Sequence, residues 1–308
     1  MPNLSVILCT HNPRPDYLNR VLEGLKAQSL PREQWELLLI DNGSKEPLAA
    51  TCSLSWHPRG KVIREEELGL TAARLRGIRE SDGDLLVFVD DDNVLQSDYL
   101  MECVKIGVGY PFLGSWGGQV IPDYEVQPTE EVRPFLRYLL IRQFEEIGWS
   151  NTTNFHDTTP CGAGMCLRRC VAEEYVSLLA SDPRRKVLDR KGELIFACGD
   201  TDMALCARRV GLGMGVFPSL KLVHLIPKSR LGKTFFLKAA FGGGYSFTLL
   251  HYLHGINTNR EKTGVLRRSV RLARLLGRSR FERRLAAEEK KGEALAWELI
   301  EKWEQQSR

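Results

Sequence analysis

The first hundred residues alternate between two patterns. Short apolar runs at Leu4–Thr10, Trp35–Ile40, Lys61–Arg64 and Leu85–Val89 read as strands. Between them, apolar residues recur at helical spacing. One such segment follows Asp16, a candidate cap, with Leu18, Val21, Leu22 and Leu25 on its inner side. Another runs from Gly69 to Glu80. Asn12-Pro13, Asp41-Asn42-Gly43-Ser44 and Asp82-Gly83 are turn chemistry between these blocks. Strands alternating with helices predict an α/β fold with a mostly parallel, doubly wound sheet.

The later pattern is less regular. Gly117–Pro122 reads as a strand leaving a glycine turn, and residues 150–160 as a polar loop over a site. Met214–Phe217 and Lys221–Leu225 read as two short strands. From Leu231 the pattern is helical, with three glycines at 242–244 and a charged helix at Glu282–Gln306. Residues 267–276 set Val270, Leu272, Leu275 and Leu276 against arginines, the pattern of a basic amphipathic helix.

Composition narrows the class. The 308 residues suit one sizeable core plus an appendage, and 43% hydrophobic with 27% charged residues is ordinary for a soluble globular protein. A formal charge of +4 argues against a nucleic-acid partner. The eight cysteines show no paired extracellular spacing, and residues 1–10 lack the pattern of a signal peptide, so a cytoplasmic protein is expected. Cys161, Cys166 and Cys170 do not have zinc-module spacing. There is no G-x-G-x-x-G and no P-loop signature.

Candidate chemistry collects at strand ends. Leu85–Val89 runs straight into Asp90-Asp91-Asp92. Three carboxylates there repel one another unless a divalent cation, or a ligand carrying one, shares the place. Thr10 and Asp41 also fall at carboxyl ends of strands, where open α/β sheets bind ligands. Arg74 and Arg76 could meet an anion. Taken alone, Asp41 is a turn former and the arginines a solvated helix face. Farther on, Asp200 or Thr201 caps a helix and Asp202 falls in its first turn, which is good helix chemistry with or without a function. His224 lies in a strand just before Ile226-Pro227 and by itself reads as a core residue.

In order, LSVILCTHNPRPDYL, LLLIDNGS, LGLTAARLRGI, GDLLVFVDDDNVLQSDYL, GAGMCLRR and CGDTDMALCARRVGLGMGVFPSLKLVHLIP resemble the GT-A glycosyltransferases of inverting family 2. The likeness covers roughly residues 3–230, so a GT-A domain at 1–230 and a helical region at 231–308 are expected. The nucleotide-binding half would be about 1–110 and the acceptor half about 111–230. The resemblance implies a metal-dependent, inverting transfer of a sugar from a nucleoside-diphosphate sugar, a UDP-sugar first among them, to a hydroxyl of a glycan or lipid-linked acceptor. Thr10, Asp41, Arg74, Asp90 and Asp91 would hold the nucleotide sugar. Asp92, with Asp90 and His224, would hold Mg²⁺ or Mn²⁺. Asp200 matches the general base, but Gly199 stands where the family commonly has Glu, which leaves Asp200 and Asp202 both open as the base. Polysaccharide biosynthesis is the implied setting; the C-terminal helices lie outside the likeness, and their basic amphipathic pattern fits either a helix packed by its apolar side on the main domain, the favoured reading, or peripheral contact with the inner face of the membrane. The competing readings are a non-catalytic nucleotide-sugar-binding scaffold and a nucleotidyltransferase. The latter would want a glycine- and lysine-rich loop that Thr10-His11-Asn12-Pro13 does not supply.

Overall fold

The structure is a computed structural model that describes residues 3–152, 157–189, 197–256 and 277–306. In chain order its strands are β1 (Leu4–Thr10), β2 (Trp35–Asn42), β3 (Gly60–Glu65), β4 (Leu85–Asp90), β5 (Asn93–Leu95), β6 (Leu113–Tyr124), β7 (Gly148–Ser150), β8 (Cys166–Arg168) and β9 (Gly213–Ile226). The helices are α1 (Pro15–Lys26), α2 (Leu48–Thr51), α3 (Leu70–Glu80), α4 (Tyr99–Gly109), α5 (Arg169–Ser181), α6 (Gly199–Arg209), α7 (Lys233–Leu253) and α8 (Arg280–Gln306). Three 3₁₀ turns matter below: Arg133–Leu139, Pro183–Leu188 and Lys228–Leu231. The basic segment 267–276 lies outside the described residues.

Among the described residues the strands form one nine-stranded sheet in the order β3-β2-β1-β4-β8-β6-β9-β5, with β7 on β9. The block β3-β2-β1-β4 is parallel throughout. Strands β1, β2 and β4 are buried on both sides, which is why they read as apolar runs, whereas β3 at the sheet edge is only partly buried. The period of two sorts their side chains into layers. Leu4, Val6 and Leu8 of β1 join Leu18, Val21 and Leu22 of α1 and Leu100 of α4 on one face. Ile7 and Cys9 join Ala73 of α3, Val171 of α5 and Met203 of α6 on the other. At about 25 cal/mol per Å² of apolar surface, this two-sided burial is the main term holding the sheet.

The structure corrects three expectations. Gly117 and Gly118 lie inside β6 rather than in a turn. The two short strands around 214–225 are one strand, β9, whose register against β6 shifts between Gly118 and Gln119. An irregularity of that kind absorbs Pro218 without ending the pairing. Asp16 does not cap α1; it sits in the first turn and pairs with Arg14 across 2.7 Å.

The C-terminal helices share apolar clusters with the rest. Leu249 and Leu250 of α7 and Ala296 and Ile300 of α8 join the layer below the sheet. Phe236 and Ala240 meet Phe281 and Leu285 in a smaller cluster with Ile226 and Leu139. Of the three glycines at 242–244, Gly244 serves this packing, together with Gly292 of α8. A Cβ on Gly244 would fall 2.0 Å from the Glu289 carbonyl oxygen, and one on Gly292 2.0 Å from that of Phe241. The two backbones therefore approach as closely as helices lacking side chains at the crossing can. Among the described residues no helix is long and apolar enough to cross a membrane.

Candidate active site

Three parallel strands deliver the first residues. Thr10 stands opposite Asp41, and Cys9 opposite Asp90, so the ends of β1, β2 and β4 form one edge. Beyond that edge opens a cleft of about 850 Å³. Thr10, Arg74, Asp90–Asp92, Asp200 and His224 all line it.

The acidic turn reaches β9 for a local reason. After Asp92 the chain enters β5, whose Asn93 pairs with His224. The Leu225 N–H donates to the Asp92 carbonyl at 2.8 Å. That pairing sets the Asp92 Oδ2 and His224 Nε2 atoms 3.5 Å apart. The Arg230 guanidinium, from the turn Lys228–Leu231, lies against both: Nη1 is 2.9 Å from Asp92 Oδ2 and 3.2 Å from His224 Nε2. Asp91 accepts a hydrogen bond from the Thr10 hydroxyl. Burial pushes its carboxyl up to about 6; the Thr10 bond opposes this, and the Asp92 and Asp90 charges add to it.

Asp90 turns the other way. Its Oδ1 is 3.9 Å from Arg74 Nη2, and Arg74 is buried. Burial works against the Arg74 charge, but Asp90 and Asp200 outweigh it and its pKa is raised. Asp200 sits in the first turn of α6, where the helix dipole favours a carboxylate. Its Oδ1 accepts from the Thr201 N–H at 2.8 Å and its Oδ2 from the Gly162 N–H at 2.7 Å. A Cβ on Gly162 would come within 2.6 Å of Arg74 Nη2 and 3.0 Å of Asp200 Oδ2. The small residues at 161–166 thus let the backbone slip between an arginine and a carboxylate.

Two expected site residues do not reach the cleft. Asp41 is buried with both oxygens engaged: Oδ1 by the Ser44 N–H at 3.0 Å, Oδ2 by the Leu48 N–H at 3.1 Å and Arg64 Nη1 at 2.9 Å. Asp202 is 1% exposed, and its Oδ1 takes Arg185 Nη1 and His254 Nε2. Helical geometry is the reason: two residues along α6 turns the side chain by about 200°, away from Asp200 and into the protein. Of the two acids left open as base, only Asp200 faces the cleft.

The pattern of the sequence did not single out Asp189, Tyr138, Leu140 or Phe235, which also line the cleft. Asp189 accepts from the Thr71 N–H at 2.9 Å and so caps α3, the helix that carries Arg74. No local signal ties it to a residue 118 positions away. Arg76, the second candidate arginine, pairs with Glu80 at 2.9 Å on the outer face of α3.

Whether these residues suit a divalent cation can be judged from the atoms. Arginine only donates, so His224 Nε2 must offer its lone pair and carry its proton on Nδ1. Two acceptors thus converge on one point that a cationic group already occupies. Among the described residues no three His, Cys, Asp or Glu side chains gather to hold a metal unaided. Mg²⁺, however, is usually held by one or two carboxylates plus substrate phosphates. Asp92 fits that mode, with His224 Nε2 beside it as a further lone-pair donor; Asp90, turned to Arg74, does not join them.

Residues 5–175 match the model of Glycosyl transferase family 2. The chain belongs to that family. It is 32% identical over 119 residues to "Glycosyltransferase AglE" of Haloferax volcanii, covering 37% of this chain and 39% of the relative. It is 25% identical over 130 residues to the "Glucosyl-dolichyl phosphate glucuronosyltransferase" of the same organism, covering 41% of each. The family 2 chain thus aligns with about two fifths of the length of these relatives. Its fold is like that of TarS of S. aureus, with a TM-score of 0.53 at 14% identity, covering 99% of this chain and 92% of that one. A structure of TarS in complex with UDP gives a TM-score of 0.52 at 13% identity, with 99% and 92% coverage.

Proposed function

We propose that this family 2 chain is a metal-dependent, inverting glycosyltransferase that moves a sugar from a UDP-sugar to a hydroxyl of a glycan or lipid-linked acceptor. One observation carries the reading: Asp200 faces the same cleft as Arg74, Asp90–Asp92 and His224, with Asp202 turned away. The UDP bound in a TarS structure and the dolichyl phosphate named for a relative support the donor and the lipid-linked class of acceptor.

The chemistry follows from charge and position. Asp92 and His224 would hold Mg²⁺ or Mn²⁺ beside the diphosphate. When bound, the cation would neutralise the charge developing on the leaving group. Thr10 and Asp91 at the end of β1 and β4 flank the nucleotide. Asp41 would support it indirectly, by shaping the turn after β2. Hydrogen bonds from the Thr201 and Gly162 N–H groups hold the Asp200 carboxylate in place; the Thr201 hydroxyl also reaches Oδ1, at 3.5 Å, and Oδ2 keeps a lone pair for an acceptor hydroxyl. That hydroxyl oxygen bonds to the anomeric carbon, the bond from that carbon to the phosphate oxygen breaks with its electron pair, and the proton passes to Asp200. Attack opposite the leaving group inverts the anomeric centre. Arg74, beside both Asp90 and Asp200, keeps the two acids from repelling each other.

Calorimetry with a panel of nucleoside diphosphates, with and without Mn²⁺, tests the binding half, and product analysis by NMR tests inversion. Metal-strengthened UDP binding and an inverted linkage are expected. Nucleotide binding indifferent to the metal, or a retained linkage, would overturn the reading.

A further inference from the structure

Arg230 is placed where a divalent cation would be expected, and it differs from Arg74, the other arginine lining the cleft. Arg74 is buried, with a side chain 6% exposed, whereas the Arg230 side chain is 33% exposed. It stands on a short turn whose backbone is fastened independently: the Lys228 N–H donates to Glu125 Oε2 at 2.8 Å, and Leu231 is buried in the cluster around Phe236. The guanidinium can therefore leave Asp92 without moving the turn that bears it. A guanidinium is always charged and has no acceptor. Its Nη1 takes the lone pairs of Asp92 Oδ2 and His224 Nε2 together. Those are the lone pairs a divalent cation would need. The His224 Nδ1 atom, which must carry the proton, is buried without a hydrogen-bond partner.

We infer that Arg230 is an exchangeable counter-ion, resting on Asp92 and His224 until a diphosphate and its cation arrive together. The inference rests on the reading of Asp92 and His224 as cation ligands. A cation arriving alone must displace a guanidinium and leave it with nothing in exchange. A diphosphate supplies that exchange, because phosphate oxygens accept charge-assisted bonds from arginine. Cation and nucleotide then each favour the other's binding, by equal factors, through one side chain. The protein would reject free cation and accept the donor complex.

The test is Mn²⁺ binding by the full chain without nucleotide, followed by electron paramagnetic resonance, for the wild type, Arg230→Gln and Arg230→Lys. Melting curves establish that all three fold. Arg230→Gln is expected to bind Mn²⁺ about 5- to 150-fold more tightly than the wild type, the usual range for a coupling between two sites. Arg230→Lys, which keeps the charge, is expected to stay near the wild type. Asp92→Asn added to Arg230→Gln is expected to remove the gain. If Arg230→Gln binds Mn²⁺ no more tightly while Asp92→Asn still weakens binding, the counter-ion role falls and the cation site stands. If Arg230→Lys gains as much as Arg230→Gln, charge is not the cause and the role falls as well. If Asp92→Asn changes nothing in any background, the cation site itself is wrong and takes the inference with it.

Discussion

Among the described residues the same three residue types meet in two places. In the cleft, Asp92 lies against Arg230 and His224. Behind α6, Asp202 lies against Arg185 and His254. The difference is enclosure. In the inner group the Asp202, Arg185 and His254 side chains are 1%, 5% and 7% exposed, and Arg185 Nη2 also donates to the Leu253 carbonyl at 2.9 Å. It fastens α6, the turn Pro183–Leu188 and the end of α7 to one another. In the outer group the arginine side chain is one-third open, and its Nη1 holds both acceptors. An aspartate, an arginine and a histidine form a clamp when every direction is closed. They form an exchangeable site when one direction opens to a ligand.

Helix α6 puts one acid toward each region, so the sharpest test separates them. Asp200→Asn is expected to lower kcat about 10²- to 10⁴-fold, the usual worth of a general base, with UDP binding and melting temperature little changed. Single-turnover kinetics beside calorimetry measure this. Loss of nucleotide binding in step with kcat would mean that Asp200 serves the donor instead. Asp202→Ala is expected to do the reverse. It leaves the buried Arg185 with the more distant Asp182, 3.7 Å from its Nε, and breaking such a buried pair costs up to about 3–5 kcal/mol of stability. Urea denaturation reads that loss. A stable Asp202→Ala protein with abolished turnover would erase the distinction between the two regions.

Asp91 offers a smaller effect of opposite sign. Its folded carboxyl titrates at about 6, against an ordinary value of 3.8. A raised folded pKa means that the folded state holds its proton more tightly. This contribution to stability is complete below about pH 4 and is lost as pH rises through 6. Between pH 4 and 7 the cation-free protein should thus lose at most about 3 kcal/mol through this group. Asp91→Asn, which does not titrate, should flatten that slope and melt higher than the wild type at pH 7. Equal pH dependence of melting in the two proteins would show that the strand-end acids are not crowded as the structure has them.

What was legible in the sequence tracks the same division. Strands β1, β2 and β4 read directly because burial on both faces demands unbroken apolar runs. The acids after β4 read as a site because a core strand should not end in three carboxylates without a partner. Strands β5 and β8, of three residues each, carry no period to detect. Asp41 and Asp200 look alike in sequence, each an acid beside a turn or helix start. The structure separates them by what takes their lone pairs: Arg64 and two amides for Asp41, two amides, the more distant Thr201 hydroxyl and the open cleft for Asp200. Partners such as Arg185 and His254, 69 positions apart, leave no mark in any local pattern.

Asp189 is the mildest probe, because it belongs to the cleft wall and acts through a helix end. Its Oδ1 accepts from the Thr71 N–H at 2.9 Å, satisfying a donor that α3 cannot use internally. Asp189→Ala should cost about 1 kcal/mol, as loss of a capping side chain usually does. Arg74 lies one turn farther along α3, close enough for fraying of that end to loosen its hold on Asp90 and Asp200. The expected signature is a small fall in melting temperature with a larger rise in KM for the donor than fall in kcat, and partial rescue by Asp189→Asn, which keeps an acceptor. If KM stays fixed while stability falls, the cap supports the fold alone, and the cleft's arginine is held by its two aspartates without help from the helix end.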